Sequence, residues 1–206
     1  MAGTQDAHRD VPGCGKVTQH AWVFSEEDAE AEIEARASAR LARKRIEHRS
    51  SLDVGRDDWE TPEPIMERVR MIAPIELDPC TSGSNPTGAA RFLTKADDGL
   101  KRDWSCDGLA FVNFPYSRAR DWAVKTVIES RRCGHVVALP AARPGARFYR
   151  TLQEHCRLYV ELEGRVKFVG ATYAAPLPTA AFYFGPEPDA FVAAFEDIGI
   201  VLVEHR

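Results

Sequence analysis

Residues 113–116, Asn-Phe-Pro-Tyr, follow directly on the apolar run Leu109-Ala110-Phe111-Val112. Packing alone does not ask for that order, but gripping an amino group beside an electrophile does. The exocyclic amine of a nucleobase is a poor nucleophile because its lone pair is delocalised into the ring. Two acceptors set against its N–H groups stabilise the positive charge that grows as a bond to carbon forms. The Asn113 side-chain oxygen is one such acceptor and the Phe114 carbonyl the second. Pro115 biases Phe114 toward extended backbone, which fixes where that carbonyl points. Tyr116 then offers a face on which an extruded base can stack. A plainer reading stays open, in which a strand ends in a proline turn and Tyr116 packs at its rim.

These residues need a frame. Apolar strands are expected at 74–77, ending on Asp78, at 91–94, 109–112, 135–139 and 157–161, and "RVKFV" (165–169) and "TAAFYF" (179–184) bracket a long loop before a closing strand, "IVLVE". Helices are expected from Thr61, read as an N-cap with Pro62 in the first turn, to Met71, from Ser117 to a stop at Gly134, from Pro144 to Cys156, and over 188–197. Alternating strands and helices predict an α/β fold with a mostly parallel sheet flanked by helices. Sites in such sheets form past the carboxyl ends of strands, where strand order reverses. Asp78, Asp97 or Asp98, and Asn113 all fall there.

Residues 1–56 read as a mobile N-terminal segment, and 57–206 as the main domain. Ala29, Ile33, Ala37 and Leu41 recur every four residues and predict a charged helix over about 25–49, either a solvated arm or a helix that packs on a partner. Gly13-Cys14-Gly15-Lys16 is no phosphate loop, since Asp10 stands where the earlier glycine belongs. At 206 residues, 44% hydrophobic and 28% charged, the chain can build one ordinary soluble core. No long apolar run or secretory leader is evident, so no membrane association is expected. The five cysteines, Cys14, Cys80, Cys106, Cys133 and Cys156, include no C-x-x-C pair. They suggest free thiols in the cytoplasm, and no metal site. The net charge of −4 is uneven: residues 101–185 carry 13 basic and 7 acidic side chains. That segment is either a surface for a polyanion such as DNA or a solvated basic face.

Several stretches occur in a telling order. They are "DWETP" (58–62), "LDPC" (77–80), "TKADDGLKRDW" (94–104), "VNFPYSRARDW" (112–122), "VVALPAARPGARFY" (136–149), "EGRVKFVG" (163–170) and "APLPTAAFYF" (175–184). Together they resemble the phage-type, Dam-like DNA N6-adenine methyltransferases over about residues 57–185. The resemblance implies a Rossmann-like methyltransferase fold, S-adenosylmethionine as donor, and adenine flipped out of double-stranded DNA as acceptor. It implies that Asn113, Phe114, Pro115 and Tyr116 form the catalytic turn, although Phe114 stands where the family usually has proline. Trp59, Thr61 and Pro62 would border the cofactor, Trp59 being as well suited to anchoring the core. Asp78, Pro79 and Cys80 would meet its methionine part, and Asp97 or Asp98 its adenosine. Arg143, Arg147 and Arg150 would contact phosphates, and Arg165 and Lys167 would border the DNA channel or form a hairpin edge. The loops 140–150 and 170–178 would read the DNA, because 34 residues between Asp78 and Asn113 leave no room for a separate recognition domain. Two alternatives remain: an inactive DNA-binding or regulatory protein that keeps the fold, and transfer to cytosine N4.

Overall fold

A computed structural model describes residues 59–203. The helix expected over about 25–49, the boundary at 56/57 and Cys14 lie outside those residues. The described chain forms a seven-stranded sheet with helices on both faces. In chain order the elements are α1 (Glu63–Ile72), β1 (Ile75–Asp78), β2 (Arg91–Phe92), β3 (Cys106–Val112), a 3-10 turn (Tyr116–Arg118), α2 (Ala119–Glu129), β4 (Cys133–Ala138), α3 (Arg147–Gln153), β5 (Leu158–Leu162), β6 (Ala180–Phe184), α4 (Pro188–Phe195) and β7 (Gly199–Val203).

The strand order is β2-β1-β3-β4-β6-β5-β7. From β2 to β4 all neighbours are parallel, whereas β4–β6, β6–β5 and β5–β7 are antiparallel. The sheet is therefore mixed, not mostly parallel. The cause lies between β5 and β6, where the chain returns through a loop with no crossover helix, and such a connection can only join antiparallel neighbours. An apolar strand reads alike in either direction, so the sequence did not signal the reversal.

Alternation along the strands divides the core. Leu109 and Phe111 of β3, with Val137 and Leu139, face α1 and α4. Ala110 and Val112, with Val136 and Ala138, face α2 and α3. A strand buried on both faces must be apolar at every position, which is why these runs lack the polar alternation of a surface strand.

Several local expectations shift. Pro62, not Thr61, is the N-cap of α1, and its carbonyl accepts from the Ile65 and Met66 amides. Ser117 sits in the 3-10 turn ahead of α2, whose N-cap is Arg118. Gly134 lies inside β4 rather than stopping α2, and glycine is needed there because a Cβ would lie 2.0 Å from the Asp107 carbonyl. Of the stretch "RVKFV", only Val169 pairs, in an isolated antiparallel bridge with Glu60.

The parallel strands β1, β2, β3 and β4 end along one edge, and β5 ends there too. That edge gathers the β1–β2 loop, the 93–105 return, the Asn113 turn, the β4–α3 loop and the long Glu163–Thr179 loop. The last two are stitched together by an Ala141–Thr179 bridge and by Ala142 N–H donating to Pro178 O at 2.7 Å. Among the described residues, no helix is long and apolar enough to cross a membrane.

Gly99 holds the 93–105 return against the end of β1. A Cβ on it would lie 2.0 Å from the Pro79 carbonyl and 3.0 Å from the Trp122 ring. Gly99 O also accepts from the buried Trp104 indole N–H at 2.8 Å. We expect Gly99→Ala to cost about 1–3 kcal/mol by overpacking against backbone that cannot yield. A urea-unfolding midpoint equal to wild type would contradict this account.

Candidate active site

Strand order reverses between β1 and β3, since the chain runs outward from β1 to β2 and returns to β1's other side. A crevice opens past the carboxyl ends of these strands, as such reversals predict. It is a cavity of about 980 Å³ whose lining includes Asp78 and Cys80 past β1, Asn113 and Pro115 past β3, Trp59 and Thr61 from the chain entering α1, and Asp98 from the 93–105 return. A small cleft beside it is bounded by Trp59 and Asn113 through Tyr116.

Asn113 is half-buried just past β3. Its Nδ2 donates to Trp59 O at 2.9 Å and to Thr61 Oγ1 at 3.1 Å. A carboxamide nitrogen has two hydrogens, so both are spent within the protein and Oδ1 is the end left to meet a ligand. Thr61 is buried, and its hydroxyl accepts from Asn113 instead of capping α1.

Phe114 is 2% exposed and meets the Phe148 ring edge-on, with centroids 6.3 Å apart. Its side chain therefore points into the α2/α3 core and away from the crevice. Burial of the ring restrains the residue where a proline would have restrained φ covalently. Tyr116 is 38% exposed at the cleft, and loss of hydration pushes its hydroxyl up to about 12, so the ring is neutral.

Asp78 ends β1 and is 3% exposed. Oδ1 accepts from Cys80 N–H at 3.1 Å and Oδ2 from the Thr87 hydroxyl at 3.0 Å. Burial outweighs these donors and raises its carboxyl to about 6. The same burial, together with the charge of Asp78, drives the Cys80 thiol well above its ordinary value, so it stays protonated.

Of the residues expected at the cofactor, Trp59, Thr61, Asp78, Pro79, Cys80 and Asp98 line the cavity. Pro62 and Asp97 do not. Pro62 is occupied in starting α1. Asp97 Oδ2 accepts from Thr94 N–H at 2.8 Å and Thr94 Oγ1 at 2.7 Å, closing its own turn, and those bonds lower its pKa. Asp98 is held with φ of 54° beside the cavity, an uncommon conformation for a residue with a Cβ, and its ion pair with Lys101 spans 2.8 Å. The hydrogen bond from Lys101 lowers its pKa.

Glu60, inside the "DWETP" stretch but not singled out there, lines the cavity, and its Oε1 accepts from Ser82 and Ser84 at 3.2 and 3.3 Å. Thr87 was also missed. The only signal for either was the density of hydroxyl residues in the loop after Asp78, which does not say which acid they reach. Arg143, Arg147, Arg150, Arg165 and Lys167 are all exposed. They lie on or next to the two stitched loops, at the edge of the sheet that holds the cavity. Arg150 pairs with Glu154 at 3.6 Å. Among the described residues, no cluster of three or more His, Cys, Asp or Glu could hold a metal ion.

A search among curated proteins found no match. The family model described as DNA N-6-adenine-methyltransferase (Dam) matches residues 49–179. That span holds β1 through β5, the Asp78 wall, the Asn113 turn and the segment that grips it, and on that match the chain belongs to the Dam family of DNA N-6-adenine-methyltransferases.

Proposed function

We propose that this chain transfers a methyl group from S-adenosylmethionine to the N6 amine of an adenine extruded from double-stranded DNA, on a Rossmann-like, phage-type scaffold. The observation that supports the reading is the commitment of both Asn113 side-chain hydrogens to Trp59 and Thr61, which leaves the oxygen as the unspent end of an amide that lines the large cavity. An acceptor oxygen at the end of a strand is what an incoming N–H needs.

The residues present fit the donor. A buried carboxylate at Asp78 suits its ammonium group, the acids Asp98 and Glu60 suit hydroxyls, and Trp59 and Pro79 supply apolar walls. The cavity is at the upper end of what a small-molecule site requires and leaves space for a base as well. When bound, S-adenosylmethionine supplies an electrophilic methyl carbon on a sulfonium.

The chain's own residues do the rest by position. Asn113 Oδ1 and Phe114 O accept from the two hydrogens of the amine and stabilise the charge that appears on nitrogen. Tyr116, neutral and partly exposed, stacks on the base. No side chain need act as base, because the amine proton becomes acidic after transfer and leaves to solvent. The cationic loops 140–150 and 163–179 hold phosphates, so affinity for DNA falls with salt. Cytosine N4 presents the same pair of hydrogens, and a protein that kept the fold without turnover would still bind DNA. Nucleoside analysis separates all three.

Expression in a host lacking adenine methylation should yield N6-methyladenine in its DNA, detected by nucleoside mass spectrometry. Asn113→Ala should abolish that product while donor binding by calorimetry persists. N4-methylcytosine instead, or no methylated base with wild type, would reject the proposal.

Asp78 gives a second test. Its carboxyl is raised from 3.8 to about 6, so folding disfavours the ionised form. The penalty is complete above about pH 6, roughly 3 kcal/mol at ~1.4 kcal/mol per unit, and vanishes below the unfolded value. Asp78→Asn should therefore stabilise the ligand-free protein at pH 7.5 by about 1–3 kcal/mol and flatten its stability between pH 4 and 7. The same change should weaken donor binding at least tenfold, and wild-type affinity should decline below about pH 6. A destabilised Asn variant with full donor affinity would contradict both statements.

A further inference from the structure

The contacts around Asn113 say more than that its oxygen is free. They say which residue type position 113 can hold. Trp59 presents a main-chain carbonyl to Nδ2 at 2.9 Å, and a carbonyl has lone pairs only. Thr61 presents a hydroxyl at 3.1 Å, which can either accept or donate. The two partners are thus unequal. The hydroxyl would tolerate a carboxylate by turning its hydrogen toward it, but the carbonyl would face a negative oxygen at hydrogen-bond distance. Only a group with a donor on that side satisfies Trp59.

We infer that the Trp59 carbonyl selects an amide over a carboxylate at position 113, and that Thr61 is a positioning residue that locks the amide with its oxygen toward the substrate. This rests on the methyl-transfer reading for its activity assay, though not for its structural assay. An aspartate at 113 would satisfy Trp59 only when protonated. Its hydroxyl would then replace the amide N–H toward the carbonyl, and its second oxygen would face the substrate as an acceptor.

The segment that makes this selection is itself held in place. Glu60 O accepts from Val169 N–H at 3.0 Å, and the Glu60 carboxylate accepts from Ser82 and Ser84. The Glu163–Thr179 loop and the loop after β1 therefore brace the two residues that orient Asn113. Without that brace the Trp59 carbonyl could turn away, and an amide and a carboxylate would serve equally.

The test uses the full chain, with methyl transfer from labelled S-adenosylmethionine to adenine-containing duplex DNA in single turnover. Asn113→Asp should fall at least 100-fold below wild type at pH 8. It should then gain close to tenfold per unit as pH drops toward the range where its carboxyl protonates, while wild type shows no such rise. With donor and DNA both saturating, Thr61→Val should lose at least tenfold in single-turnover rate, and Thr61→Ser should recover to within about threefold. Asn113→Asp with wild-type rate at pH 8, or Thr61→Val with unchanged rate, would overturn the inference.

A second readout needs neither turnover nor a stable variant at 61. In ¹⁵N spectra of the wild-type protein the Asn113 side-chain N–H pair, assigned by its absence from Asn113→Asp, should exchange with water at least tenfold more slowly than an exposed asparagine. Fast exchange would overturn the inference even if methylation occurs. Slow exchange in a protein that makes no methylated base would instead fault the methyl-transfer reading and leave the amide lock standing.

Discussion

Two hydrogen bonds from one carboxamide join parts of the chain more than fifty residues apart, and the site depends on them. Asn113 arrives at the end of β3, while Trp59 and Thr61 arrive on the chain entering α1. The contact turns a flexible amide into an oriented acceptor. It also closes the crevice between β1 and β3 from above, because Trp59 lines both the main cavity and the small cleft beside it. An acceptor free to rotate would offer its nitrogen as often as its oxygen, and it would not distinguish an incoming amine from water.

The mixed sheet serves the same end. Its parallel half delivers strand ends and their loops to one edge, where Asp78 and Asn113 meet. Its antiparallel half returns the long Glu163–Thr179 loop to that edge without a crossover helix in between. A wholly parallel sheet would have needed a further helix there. The positively charged loops could then not have been stitched directly to each other, or bridged to Glu60.

Asp78, on the proposed reading, shows a stability cost accepted for donor binding. A carboxylate 3% exposed with a pKa near 6 weakens the ligand-free fold at neutral pH, and hydrogen bonds from Cys80, Thr87 and Thr81 only partly offset that burial. Such a group makes sense where a cation completes it. Phe114 is the converse case: a bulky ring in the turn after β3 is accommodated because it finds a buried partner in Phe148.

The strands and helices were legible because each rests on local pattern: uniformly apolar runs for doubly buried strands, and a Pro or Ser within a few residues of each helix start. The Asn113 turn and Asp78 were legible for a related reason, since both follow directly on an apolar run and loop residues past strand ends carry chemistry. Sequence alone therefore established the α/β class, the acids and amide worth watching, and the family resemblance. It could not establish the direction of β6, since an apolar strand carries no mark of its orientation. Nor could it show that Thr61 holds Asn113 instead of capping α1, that Glu60 faces a cavity, or that Asp97 closes its own turn while Asp98 lines the crevice. Those outcomes depend on which groups are brought within about 3 Å across long stretches of chain, and hydrogen bonds that short are decided only when the tertiary structure closes.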